Sequence, residues 1–113
     1  MTGRLPTRLW LDGLRRKVAA SGDFVTVLSR GDPDSGAVIL VGRTREGTQS
    51  AYVRTNLGEG RIEWRVVIED DPPPGEKIED FLKKQKSYDP DLWIVELDIA
   101  DPARFIADLK ALS

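Results

Sequence analysis

The chain contains neither cysteine nor histidine. Without thiolate or imidazole the usual zinc sites have no ligands. Ser-His-Asp and Cys-His nucleophilic systems are excluded on the same ground. No disulfide framework can form, and nothing points to an oxidising compartment. A metal would need oxygen ligands, as Mg and Ca do. Acid–base chemistry would fall to Asp, Glu, Lys or Tyr. Methionine occurs once and aromatic residues make up 7%. No apolar run approaches the ~20 residues of a membrane span. The opening stretch, MTGRLPTRLWLDGLRRK, carries arginines throughout and lacks the apolar centre of a secretory signal. These absences predict a cytoplasmic protein with no membrane partner.

What is present describes one globular domain. The chain has 113 residues, 40% apolar and 32% charged, which is neither a disordered nor a membranous composition. A domain of this length buries roughly 65% of its unfolded surface, enough for a single core. The net charge is −2, from 17 basic and 19 acidic residues. It is unevenly spread: residues 1–22 carry five Arg/Lys and one Asp, a local +4, which leaves −6 for the rest. The balance disfavours duplex DNA, which calls for a basic domain.

Periodicity gives the elements. Thr7–Ser21 reads as a helix, with Trp10, Leu11, Leu14 and Val18 on one side and Arg8, Arg15 and Arg16 on the other. Pro6 suits its first turn and Gly22 its stop. Phe24–Arg30 is a β-branched strand, closed by the turn signal Gly31-Asp32-Pro33-Asp34-Ser35-Gly36. Ala37–Arg43 is apolar on consecutive positions, which predicts a central strand buried on both faces. Gln49–Thr55 follows a Glu46-Gly47 turn, and Arg61–Glu69 follows Asn56–Gly60. In Arg61–Glu69, Ile62, Trp64, Val66 and Ile68 are expected to point one way. The short connections favour a meander, with 30–36 as a hairpin. Asp70–Gly75, with three prolines, reads as a rigid connector.

Glu76–Lys86 is a second helix whose acidic start and lysine-rich end both suit the helix dipole. Ser87–Asp91 turns the chain into the strand Leu92–Asp98, apolar on both sides and so expected inside the sheet. Asp101-Pro102 caps a third helix with Phe105, Ile106, Leu109 and Leu112 on its buried stripe. The fold class is therefore α+β: a mixed, mostly antiparallel five-stranded sheet with three helices, order α-β-β-β-β-α-β-α, helices mainly on one face.

Two polar segments carry candidate binding residues. In the first, Arg30, Asp32 and Asp34 sit in a glycine-bounded loop. Two carboxylates two residues apart suit Mg or Mn, and an Arg-Asp pair suits a polar ligand. The competing and preferred reading is a turn whose Asp side chains bond local backbone. In the second, Tyr88 and Trp93 are candidates to line a pocket, with Gln85, Asp89 and Asp91 supplying hydrogen bonds. Here too the structural reading is preferred, with Trp93 as core and Asp89 capping a turn. Glu96, in an otherwise apolar strand, calls for a charged partner or a raised pKa. The Arg8, Arg15, Arg16 face reads as solvated surface, with an anionic partner as its functional alternative.

The chain resembles a small family of alphaproteobacterial proteins, a domain of unknown function of about this length. The matching residues are Arg30-Gly31-Asp32 with Gly36-Ala37, then Phe81-Leu82, Gln85 and Tyr88-Asp89-Pro90-Asp91-Leu92-Trp93-Ile94-Val95-Glu96. DPDLWIVE is the specific part, and the resemblance covers essentially the whole chain. Where the family pattern often has Arg, this chain has Lys84, which cannot make a bidentate contact. The resemblance implies a bacterial, cytoplasmic protein of one small domain and assigns no activity.

The leading expectation is a non-catalytic module that binds a protein or small anionic ligand through the 30–36 loop and the 85–91 turn. No catalytic residue, metal site or cofactor is assigned. The alternatives are a carboxylate-based, Mg- or Mn-dependent hydrolase built on Asp32 and Asp34 with Asp89 or Asp91, and an RNA contact through the basic first helix.

Overall fold

The two strands with continuous apolar runs lie side by side at the heart of the sheet. The computed structural model describes residues 6–59, 61–70 and 76–109. Its elements are α1 (Thr7–Ala19), β1 (Phe24–Ser29), β2 (Val38–Arg43), β3 (Gln49–Gly58), β4 (Arg61–Asp70), α2 (Glu76–Tyr88), β5 (Trp93–Asp98) and α3 (Pro102–Ala107). The five strands are ordered β1-β5-β2-β3-β4. β5 pairs antiparallel with β1 and parallel with β2, while β2, β3 and β4 form an antiparallel meander. The expected element order and sheet type hold. Residues 71–75 of the expected Asp70–Gly75 connector, Gly60 and Leu112 lie outside the described residues.

The 30–36 segment is not a hairpin. β5 is inserted between β1 and β2, so the segment crosses over the start of β5 instead of joining neighbours. The reason is burial. β2 and β5 are apolar on both sides, and only inner positions cover both faces of a strand. β1 alternates half-buried with exposed residues, which an edge tolerates.

Alternation in β5 and β2 divides the core into two layers. Trp93, Val95, Leu97 and Leu40 face α1 and α3, where they meet Trp10, Leu11, Leu14, Val18, Ile106 and Leu109. Leu92, Ile94, Ile39 and Val41 face α2, where they meet Ile78, Phe81 and Leu82. Two helices thus share one face and α2 takes the other. The expected stripes of α1 and α3 are the buried ones, and Asp101 caps α3 by accepting from the Arg104 N–H. α1 ends at Ala19, and Gly22 (φ 77°) closes the turn after it, with the Asp23 N–H donating back to the Val18 carbonyl.

The even alternation expected of β4 fails at one place. Tyr52 pairs with Val66, but Ala51 pairs with Ile68, so Val67 is an extra residue in a bulge. A one-residue slip sends every later side chain to the opposite face. Trp64 therefore stacks on Trp10 in the α1 layer (ring centroids 5.7 Å apart), while Ile68 packs in the α2 layer.

Candidate functional site

The 30–36 loop and the 85–91 turn, separated by 48 residues in sequence, meet at one end of the sheet. The Asp32 N–H donates to the Asp91 carbonyl (3.0 Å), and the Trp93 N–H to the Ala37 carbonyl (2.8 Å). Gly31 and Gly36 permit this approach. A methyl group at either position would overlap the Asp91 carbonyl. The Trp93 indole Nε1 donates to the Asp32 carbonyl at 2.7 Å, and the Arg30 guanidinium lies 5.8 Å from the Trp93 ring. Lys86 Nζ, extending from the last turns of α2, donates to the carbonyls of Arg30 (2.7 Å) and Leu92 (2.6 Å).

The start of α1 is tied into the same junction. Its Thr7 and Arg8 N–H groups donate to the carbonyls of Asp34 (3.3 Å) and Pro33 (2.9 Å). The buried Thr7 hydroxyl donates to the Gly36 carbonyl at 2.8 Å. Helix N-termini leave their first N–H groups without intrahelical partners, and here the loop carbonyls satisfy them. A segment with the composition of a mobile turn is thereby fixed by α1, α2 and β5.

Within this junction two of the carboxylates, those of Asp32 and Asp89, are occupied with their own turns. Asp32 Oδ1 accepts from the Asp34 N–H and Oδ2 from the Ser35 hydroxyl, both at 3.0 Å. The Asp34 N–H, and after it the Ser35 hydroxyl, hold the Asp32 carboxyl below the ordinary carboxylate range. Asp89 Oδ1 accepts from the Asp91 N–H at 3.1 Å. Among the described residues no group of three or more acidic side chains is placed to hold a metal ion. The loops do converge, as the carboxylate reading requires, but the oxygens of Asp32 and the Oδ1 of Asp89 are bonded within their own turns.

The residues singled out from the sequence divide into those that build the junction and those displayed on it. Asp32 and Asp89 build it. Arg30, Asp34, Tyr88 and Asp91 are exposed, and Gln85 is half-buried in α2. Tyr88 and Trp93 do not line a common pocket: Trp93 is 4% exposed in the core, and Tyr88 is 77% exposed. The two diverge because Trp93 belongs to an inner strand, whereas Tyr88 ends a helix. Arg8, Arg15 and Arg16 are exposed along α1.

Two features had no clear sequence signal. Lys86 belongs to a lysine cluster that the helix dipole already accounts for, so its two carbonyl contacts were hidden. The second is a groove of about 600 Å³ on the α2 side of the sheet, lined by Leu28, Arg43, Arg45, Gln49, Glu79 and Glu96 among others. A single helix is roughly 10 Å wide, and five strands at about 4.8 Å spacing are wider. α2 packs over β3 and β4 and covers Ile94 of β5, while Leu28 of β1 and Glu96 of β5 line the groove beside it. Glu96 was the one hint. Arg43 and Arg45 line the same groove, while α1 lies on the opposite face.

The family model described as "Protein of unknown function (DUF1491)" matches residues 5–107. A crystal structure of a DUF1491 family protein from Caulobacter crescentus is similar at 29% identity and TM-score 0.75, over 85% of this chain and 89% of that one. Solution structures of a DUF1491 family protein from Caulobacter crescentus and of protein Atu0922 from A. tumefaciens are each 26% identical, with TM-scores of 0.75 and 0.72, over 93% of this chain and 94% of theirs. Among curated proteins none matches the chain. No helix among the described residues is long and apolar enough to cross a membrane.

Proposed function

We propose that this chain, which belongs to the DUF1491 family of proteins of unknown function, is a small non-catalytic cytoplasmic module that binds a protein or small anionic ligand at the 30–36/85–91 junction. The observation that carries the reading is the Asp32 N–H to Asp91 carbonyl bond, which joins the two polar segments into one surface. Backbone bonds hold that surface in one conformation, so little ordering entropy is lost on binding. It displays Arg30 and Tyr88, residue types enriched where interfaces carry most of their energy. Exposed Lys83 and Lys84 near the end of α2 add positive charge beside them.

The test compares the wild-type chain with Arg30→Ala and Tyr88→Ala in two arms. One arm is capture from the cytoplasm of the source bacterium; the other is thermal stabilisation by phosphate or citrate. A protein partner is retained by the wild type and lost at least tenfold by both variants, whose unfolding midpoints stay close to wild type. A small anionic ligand instead raises the wild-type midpoint and leaves that of Arg30→Ala unmoved. If both variants capture the wild-type set and neither anion shifts the midpoint, the reading is wrong.

A further inference from the structure

β1 and β4 are the two edges of the sheet, and the sequence treats them differently. β4 exposes Arg61, Glu63, Arg65 and Glu69 along its length, and its ladder to β3 is interrupted by two register shifts. Charges and bulges of this kind obstruct edge-to-edge pairing. β1, with the sequence FVTVLS, has no charged residue and no proline. Its one irregularity falls late, between Val27 and Ser29. Val25 and Val27 pack toward the α1 layer, while Phe24 and Leu28, on the α2 side, remain 69% and 49% exposed. An edge free of charge and proline, regular from Phe24 to Val27, beside exposed large apolar side chains is a template for another strand.

We propose that β1 is a dimerisation edge, on which a second copy of this chain pairs its own β1 antiparallel about a two-fold axis at Thr26. In this register Phe24 meets Leu28 of the second copy on the α2 side. Val25 meets Val27 on the α1 side, and the two Thr26 residues face each other. Charge selects the occupant. Asp23 precedes the strand and Arg30 follows it, and among the described residues neither has an ion-pair partner. Antiparallel pairing brings the Asp23 end of each copy beside the Arg30 end of the other, past the irregularity at Leu28, so opposite charges lie at both ends. The strand is thus complementary to itself reversed. The contact is isologous and closes at two copies, because the guarded β4 edges end the enlarged sheet. A six-residue strand edge is a small interface, so association depends on concentration.

Sedimentation analysis of the purified full chain, from low micromolar to millimolar concentration, tests this. The wild-type mass is expected to rise from one chain to two. Phe24→Lys and Leu28→Lys, both at exposed positions, each raise the dissociation constant at least tenfold with an unchanged circular dichroism spectrum. Should either misfold, Thr26→Lys replaces it, with the same expectation. Asp23→Arg weakens the dimer, and adding Arg30→Asp restores it. Tyr88→Ala leaves it intact, which separates this edge from the junction surface. A wild type that stays monomeric throughout overturns the proposal. So does a dimer indifferent to Phe24→Lys and Leu28→Lys, or growth beyond two copies.

Discussion

The indole of Trp93 donates to the backbone carbonyl of Asp32 at 2.7 Å, across 61 positions of sequence. One side chain therefore fills the core of the α1 layer and fastens the polar junction above it. Trp93→Phe keeps a buried ring but removes the donor and part of the volume. We expect a loss of about 1–3 kcal/mol in urea unfolding, with an unchanged denaturant slope.

Gly36 and Gly22 are both glycines of necessity, for different reasons. At Gly22 (φ 77°) an added Cβ meets nothing within 4 Å, so Gly22→Ala carries only backbone strain, about 1–2 kcal/mol. At Gly36 the same methyl overlaps the Asp91 carbonyl and comes within 2.8 Å of Trp93 Cδ1. Gly36→Ala is expected to cost about 3 kcal/mol, the upper end of overpacking penalties. Thermal unfolding of the two variants should therefore rank Gly36→Ala well below Gly22→Ala.

Lys86 and Lys84 look equivalent as charges at the end of a helix, but only Lys86 bonds two carbonyls. Lys86→Met should destabilise by about 1.5–3 kcal/mol, the range for hydrogen bonds to a charged group. Lys84→Met, at an exposed site, should stay within about 0.5 kcal/mol of wild type. Chemical denaturation of the pair distinguishes a bonded lysine from a solvated one.

Titration adds a test at each end of the pH scale. Asp32 has a depressed pKa in the folded state, so its contribution is present above the ordinary carboxylate value and is lost as pH falls through the folded one. Asp32→Asn should flatten part of the acid decline in unfolding midpoint. Burial, and after it the Glu69 charge, raises the Tyr52 phenol. Its contribution is full below the ordinary tyrosine value and is lost as pH rises through the raised one. Tyr52→Phe should therefore soften the alkaline decline.

Much of this was legible in the residues alone, for local reasons. Continuous apolar runs at Val38–Val41 and Leu92–Val95 demanded inner strands, since nothing else buries both faces. Asp101-Pro102, Gly22 and the charge order of Glu76–Lys86 marked helix ends through backbone groups within a few residues. The Asp32 and Asp89 turns, preferred as backbone caps from composition, are caps in the structure. Which strands pair was not legible. A turn-rich segment such as Arg30–Gly36 fits a hairpin and a crossover equally well, and only the competition of β2 and β5 for inner positions excludes the hairpin. The bulge at Val67 is likewise decided by its partner strand, because one extra residue changes no local propensity. Sequence determined the elements, through interactions spanning a few residues. Tertiary structure decided the neighbours, and with them the junction, the groove and the unguarded edge, because burial is settled among residues that are distant along the chain.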